Sequence, residues 1–146
     1  MKKSIFTLVL VCTSIFSCKK DDVSLVIDVQ EYHNASDQLT SVIVHDIFSP
    51  PVASRIYAYS NIAAYEVIAQ GSDDYESLSG QVKGLLPTPP LPEEKINIEI
   101  ASLVAQMEIG KALIFSEDKM IVYRDSLFQN WSKKTWKNDF FFYSTY

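Results

Sequence analysis

Ser49-Pro50-Pro51-Val52-Ala53-Ser54-Arg55-Ile56-Tyr57-Ala58-Tyr59-Ser60-Asn61-Ile62-Ala63-Ala64-Tyr65-Glu66-Val67-Ile68-Ala69-Gln70-Gly71 is the stretch on which the fold turns. Ser49 is suited to cap a helix, Pro50 is tolerated in a first turn, and Gly71 is a natural stop. Between them Val52, Ala53, Ile56, Tyr57, Ala58, Tyr59, Ile62, Ala63, Ala64, Tyr65, Val67 and Ile68 fall on every side of the axis. A helix apolar all round lies inside a larger protein or a membrane. Arg55, Asn61 and Glu66 are costly in lipid, so the helix is expected to have protein neighbours on all sides. Without further neighbours, Tyr57, Tyr65 and Ile68 are among the side chains expected to stay wet.

Upstream, Val23 to Tyr32 alternates loosely and reads as a short strand or, preferably, an extended lead-in. Helical spacing begins at Asn34, with Asn34 or Ser36 as cap and Asp37 at the positive end of the dipole. Leu39, Val42, Ile43 and Ile47 form its stripe, and Pro50-Pro51 ends it. Downstream, Gly71 to Leu91 is a long connection ending in the stiff Pro87-Thr88-Pro89-Pro90-Leu91-Pro92 run, expected to lie over its own helices. A third helix is predicted over 93–115, opened by Pro92, with Ile96, Ile100, Leu103, Met107, Gly110 and Ile114 on one face. Gly110 on that face predicts the close approach of another backbone. Ser116 caps a fourth helix, with Met120, Tyr123, Leu127 and Trp131 inward and Lys133 and Lys134 at its negative end. The fold class is therefore all-α, a partial bundle of about four helices.

The N-terminus adds an export route. Met1-Lys2-Lys3 precedes an apolar run from Ser4 to Cys12 that is shorter than the ~20 residues of a membrane span. Ile15-Phe16-Ser17-Cys18 then resembles a bacterial lipobox, whose cysteine is lipidated; the alternative is an ordinary secretory signal. Lys19-Lys20-Asp21-Asp22 resembles the surface-export signals of Bacteroidetes lipoproteins, or is a plain tether. The expected organisation is a signal peptide over 1–17, a tether and lead-in over 18–33, a helical body over 34–134 and an aberrant tail over 135–146. Trp136, Phe140, Phe141, Phe142, Tyr143 and Tyr146 crowd that tail without alternation. Such composition is what out-of-frame AT-rich DNA yields, so the fourth helix is expected to continue beyond Lys134 in other residues. Cys18 as lipid anchor makes the membrane a partner and places the protein in the bacterial envelope, expected at the outer membrane.

The chemistry-bearing residues are sparse. With 13 Lys+Arg against 18 Asp+Glu, the net charge of −5 argues against a nucleic-acid groove. Two Cys and two His exclude a four-cysteine zinc site. His45-Asp46 is the best polar pair, but adjacent helical residues do not face each other, so a cap or core role is expected. His33 is expected in a loop and is too far along the chain from His45 for a helical metal pair. Arg55 and Glu66 share a stripe but lie about 16 Å apart at helical rise, so each is expected to find an ionic partner elsewhere. No catalytic, cofactor-binding or metal residue is assigned.

Val44-His45-Asp46-Ile47-Phe48-Ser49-Pro50-Pro51-Val52-Ala53-Ser54-Arg55-Ile56-Tyr57-Ala58-Tyr59, followed by Asn61-Ile62-Ala63-Ala64-Tyr65-Glu66, resembles the N-terminal helical region of bacterial vanadium-dependent haloperoxidase-like lipoproteins. These belong to the type 2 phosphatidic acid phosphatase superfamily. The resemblance runs from about His33 to Lys134 and includes Leu86-Pro87-Thr88-Pro89-Pro90. It implies an all-α enzyme that binds vanadate or phosphate and either oxidises halide with peroxide or hydrolyses a phosphate monoester. The family signatures Lys-x6-Arg-Pro, Pro-Ser-Gly-His and Ser-Arg-x5-His-x3-Asp do not occur in this sequence. The resemblance thus implies an N-terminal fragment, inactive alone, with vanadate as the intact enzyme's cofactor and missing C-terminal helices as its packing partner. A complete small surface lipoprotein that binds a partner is the alternative.

Overall fold

The computed structural model describes residues 26–93 and 96–134. The signal peptide, Cys18 and the aromatic tail lie outside the described residues. Within them the chain forms four helices and no named strand: α1 (Val29–His45), α2 (Pro50–Gly71), α3 (Ile98–Ala112) and α4 (Glu117–Lys134). The all-α bundle expected from the periodicity is the observed architecture.

Cross-contacts give the helix directions. Ile27 N–H donates to Glu99 Oε2 at 2.8 Å, and Leu39 meets Gly110, so α1 and α3 run parallel. Ser102 Oγ donates to the Ala64 carbonyl at 2.8 Å and Ile98 covers Gly71, so α2 and α3 are antiparallel. Arg124 reaches back to Glu108 at 2.6 Å, which ties α4 to α3. Helix α3 is thus the axis on which the other three pack. Its Ile100, Leu103 and Met107 are buried against Ala35, Leu39, Val42 and Ile43 of α1, Ile56 of α2, and Met120, Leu127 and Trp131 of α4. The α2–α3 seam is built from small residues: Ser60, Ala64 and Ser102 are buried there. Ser60 Oγ turns back to the carbonyls of Ile56 and Tyr57, so its burial leaves no hydroxyl unpaired.

Several boundaries differ from the sequence expectation. Asp28, not Asn34 or Ser36, caps α1: its carboxylate accepts from Gln30 N–H at 2.9 Å. His33 therefore sits inside the helix instead of a loop, and Val29 to Tyr32, expected to be extended, are helical too. Helix α3 begins at Ile98, where the Asn97 side chain accepts from Ile100 N–H at 3.0 Å; Pro92 does not open it. At Gly110 the close neighbour is the Leu39 side chain, 3.0 Å from where a Cβ would stand, and not a second backbone.

Helix α1 ends without its usual glycine. Asp46 is the C-cap, Ile47 adopts a left-handed φ of 57°, and Phe48 N–H returns to the Ile43 carbonyl at 3.2 Å. That is a Schellman ending, with Ile47 at the position where glycine is normally found.

The expectation of neighbours around all of α2 is met over half its length. The 72–90 loop folds back on the C-terminal half, where Tyr65 donates to the Glu76 carbonyl at 2.8 Å and its ring meets Tyr75 edge-on at 6.2 Å. Tyr57, Tyr65 and Ile68, expected to be wet, are half-buried. The bare surface lies on the N-terminal half instead, at Pro51, Val52, Arg55, Ala58 and Tyr59.

Candidate functional site

Glu66 is the most buried ionisable side chain described, 2% exposed. Its expected ionic partner is absent among the described residues: the carboxylate is held by neutral donors. Leu78 N–H donates to Oε1 at 2.7 Å, while the hydroxyls of Ser77 and Thr88 donate to Oε2 at 2.7 and 2.9 Å. Burial alone would push its pKa up, but these three bonds outweigh it and hold Glu66 below the ordinary carboxylate range. The group fastens both limbs of the 72–90 loop to α2. A deprotonated carboxylate surrounded by donors is a structural clasp, not a proton carrier.

Arg55, at the other end of that stripe, is exposed and has no ionic partner among the described residues. The internal ion pair expected from its sequence position is not formed there, because its side chain stands on the outer face of α2.

Asp46 forms a second clasp. Its Oδ2 accepts from the backbone N–H groups of Phe115 and Ser116 at 2.9 Å each, and its Oδ1 accepts from the Ser116 hydroxyl at 2.5 Å. The Ser116 hydroxyl is the main cause of a lowered Asp46 pKa, with partial desolvation opposing and the two backbone donors adding. Asp46 alone thus takes the cap role expected for His45-Asp46: it locks the α1–α2 corner to the α3–α4 corner, while His45 stays exposed. Phe48 stacks on Phe115 beside it, with centroids 4.7 Å apart.

Two features escaped sequence reading. Glu108 gathers Lys111 from its own helix and Arg124 from α4, and Arg124 also grips Asp125 at 2.9 Å. Burial opposes ionisation of Glu108, but the two cations and their hydrogen bonds lower its pKa. Gln106, 3% exposed, donates from Nε2 to Ser36 Oγ at 3.0 Å and Asn61 Oδ1 at 3.1 Å, joining three helices. Its Oε1 is buried without a hydrogen-bond partner among the described residues. The i, i+3 spacing of Glu108 and Lys111 was readable; the convergence of residues 36, 61 and 106 was not.

Among the described residues no three His, Cys, Asp or Glu side chains converge as a metal site, and no helix is long and apolar enough to cross a membrane. His33 and His45 lie on one helix, about 18 Å apart at helical rise. Among the described residues none of the chemistry-bearing side chains meets another in a nucleophile–base arrangement.

No protein-family model matches the chain, and no curated protein matches it. Among solved structures it is similar to a bacterial vanadium-dependent iodoperoxidase: 47% identity over 79% of this chain, with a TM-score of 0.74. The match covers 28% of the iodoperoxidase, so this chain spans well under a third of that protein's length. Over that stretch, in sequence and in fold, the chain is similar to part of a vanadium-dependent haloperoxidase.

Proposed function

We propose that this chain is the helical front portion of an exported vanadium-dependent haloperoxidase-like enzyme, and that it supplies scaffold while the oxyanion site belongs to the remainder. The carrying observation is the 47% identity to a vanadium-dependent iodoperoxidase over 79% of the chain. That relative favours halide oxidation over phosphate-ester hydrolysis as the intact enzyme's reaction. The lipobox-like Ile15-Phe16-Ser17-Cys18 supports export and lipidation at Cys18, with residence in the cell envelope.

The described residues do not fit a vanadate site. Binding an oxyanion needs several cationic or N–H donors aimed at one point. Here Lys111 and Arg124 are taken up by Glu108, Arg55 stands apart on the outside of α2, and the two histidines are at separate places along α1. The purified chain is therefore expected to show no turnover with vanadate, iodide and peroxide beyond a protein-free control.

The test is a chimera in which this chain replaces the matching segment of the iodoperoxidase. The proposal requires that the chimera fold and oxidise iodide in a vanadate-dependent way. A chimera that stays unfolded or inactive beside an active parent contradicts it. For the anchor, Cys18→Ala should move the protein from the membrane fraction to the soluble one; unchanged retention contradicts lipidation.

A further inference from the structure

We infer that the exposed outer strip on the N-terminal half of α2, Val52, Arg55 and Tyr59, is the seat of an apolar helix carrying a carboxylate, contributed by the part of the haloperoxidase-like protein for which this chain has no counterpart. The inference rests on the function proposed above and names the surface through which the two parts join.

Three observations converge on this surface. First, α2 is apolar all round; the loop fastened at Glu66 covers the outer side of its C-terminal half, while its N-terminal half buries only the side of Ala53, Ile56 and Tyr57. Among the described residues nothing covers the outer side of that N-terminal half: Val52, Ala58 and Tyr59 are exposed, Tyr59 to 51%. Second, Val52, Arg55 and Tyr59 recur at three- and four-residue steps and so form one strip along the helix. Tyr and Arg are the side chains that most often carry interface energy, through an amphipathic ring and a planar fork of donors. Third, Arg55 sits within this apolar strip without an ionic partner among the described residues, whereas Arg124 and Lys111 both have one. Burying Arg55 under a neighbour calls for a counter-charge from that neighbour, and a carboxylate is the protein side chain that matches its planar donor fork. The iodoperoxidase has more than two thirds of its length outside the match, ample for such a helix.

The strip is tested in the chimera and, in parallel, in the chain alone. Arg55→Glu and Tyr59→Lys reverse or add charge at exposed positions, and Val122→Lys does the same on exposed α4 as a control. In the separate chain all three should leave amide-exchange protection within twofold of the parent, since exposed substitutions are nearly neutral. In the chimera, Arg55→Glu and Tyr59→Lys should lower Tm by about 5 °C or more, Arg55→Lys should recover part of that loss, and Val122→Lys should not lower it. A functional chimera that tolerates Arg55→Glu and Tyr59→Lys as it tolerates Val122→Lys overturns this inference and leaves the proposed function standing. A chimera that fails before any substitution overturns both. If the separate chain sediments as a dimer that Arg55→Glu dissociates, the strip binds a second copy and the inference is overturned.

Discussion

Thr88 donates its hydroxyl to Glu66 Oε2 at 2.9 Å across 22 residues of chain, and so closes the 72–90 loop onto the helix that precedes it. Ser77 and Leu78 complete the same carboxylate from the loop's other limb. Glu66→Gln preserves shape but turns one acceptor into a donor facing donors. It should cost about 1–3 kcal/mol, the usual penalty for a broken hydrogen bond to a buried charge. Limited proteolysis should then cut within residues 72–90 faster than in the parent. Unchanged cleavage and an unchanged urea midpoint would show that the loop is held by its apolar contacts alone.

Acid should loosen the protein at several points together. Asp46 is lowered chiefly by the Ser116 hydroxyl; Glu66 and Glu108 are lowered because their hydrogen bonds and, for Glu108, its cations outweigh burial. At these sites the folded chain binds fewer protons than the unfolded chain. Their contribution is complete above the unfolded carboxylate pKa of about 4 and is lost as pH falls toward the lowered folded values. The urea midpoint should stay level from about pH 7 to about pH 5 and drop below about pH 4. A level midpoint down to about pH 3 would contradict these directions.

The corner clasp is a pairwise claim and needs a pairwise measurement. Asp46→Ala and Ser116→Ala should each lower Tm, and the double variant should fall little below Asp46→Ala, because both remove the same bond. Fully additive losses would mean that the 2.5 Å contact between these side chains contributes nothing of its own.

Gln106 makes the opposite case. Its Nε2 bonds go to Ser36, which is half-buried, and Asn61, which is exposed, so both partners can turn to water, while its own Oε1 is buried and unpaired. Gln106→Met removes the orphan acceptor and keeps the volume, so the change in stability should stay within about 1 kcal/mol. A loss well beyond that would mean the three-helix network matters more than its visible bonds suggest.

Most of the inward stripes were legible because helical period sorts them, but Ile47, placed on the first stripe, lies past the end of α1 and is exposed, and Ile96 and Tyr123 are only half-buried. Ile100, Leu103, Met107, Gly110 and Ile114 are buried as spaced, and so are Met120, Leu127 and Trp131. Helix starts were less legible, since Asp28 and Asn97 compete with nearby residues that cap as well on propensity. Ala35 is a buried member of α1 too small to strengthen the pattern upstream. The partners of Glu66 could not be read at all: two hydroxyls and an N–H in a Pro- and Ser-containing loop carry no charge signal. The Arg55–Glu66 stripe suggested two ion pairs; loop donors satisfy one end, and the other faces outward.

Ile47 offers a stabilising substitution. It holds φ at 57° in the left-handed region and is 89% exposed, so its side chain gains little burial to offset the strain between Cβ and the backbone. The hydrogen bonds that define this helix end, Ile47 N–H to Val44 at 3.2 Å and Phe48 N–H to Ile43 at 3.2 Å, are made by the backbone and do not need the side chain. Glycine reaches the same conformation without a clash, though it also gives the unfolded chain more freedom. Ile47→Gly should therefore raise stability by about 1 kcal/mol, and Ile47→Asn by somewhat less. Ile47→Ala, which keeps the Cβ, should gain almost nothing. If the glycine variant is less stable than the alanine variant, the Ile47 side chain has a packing role that its exposure does not reveal.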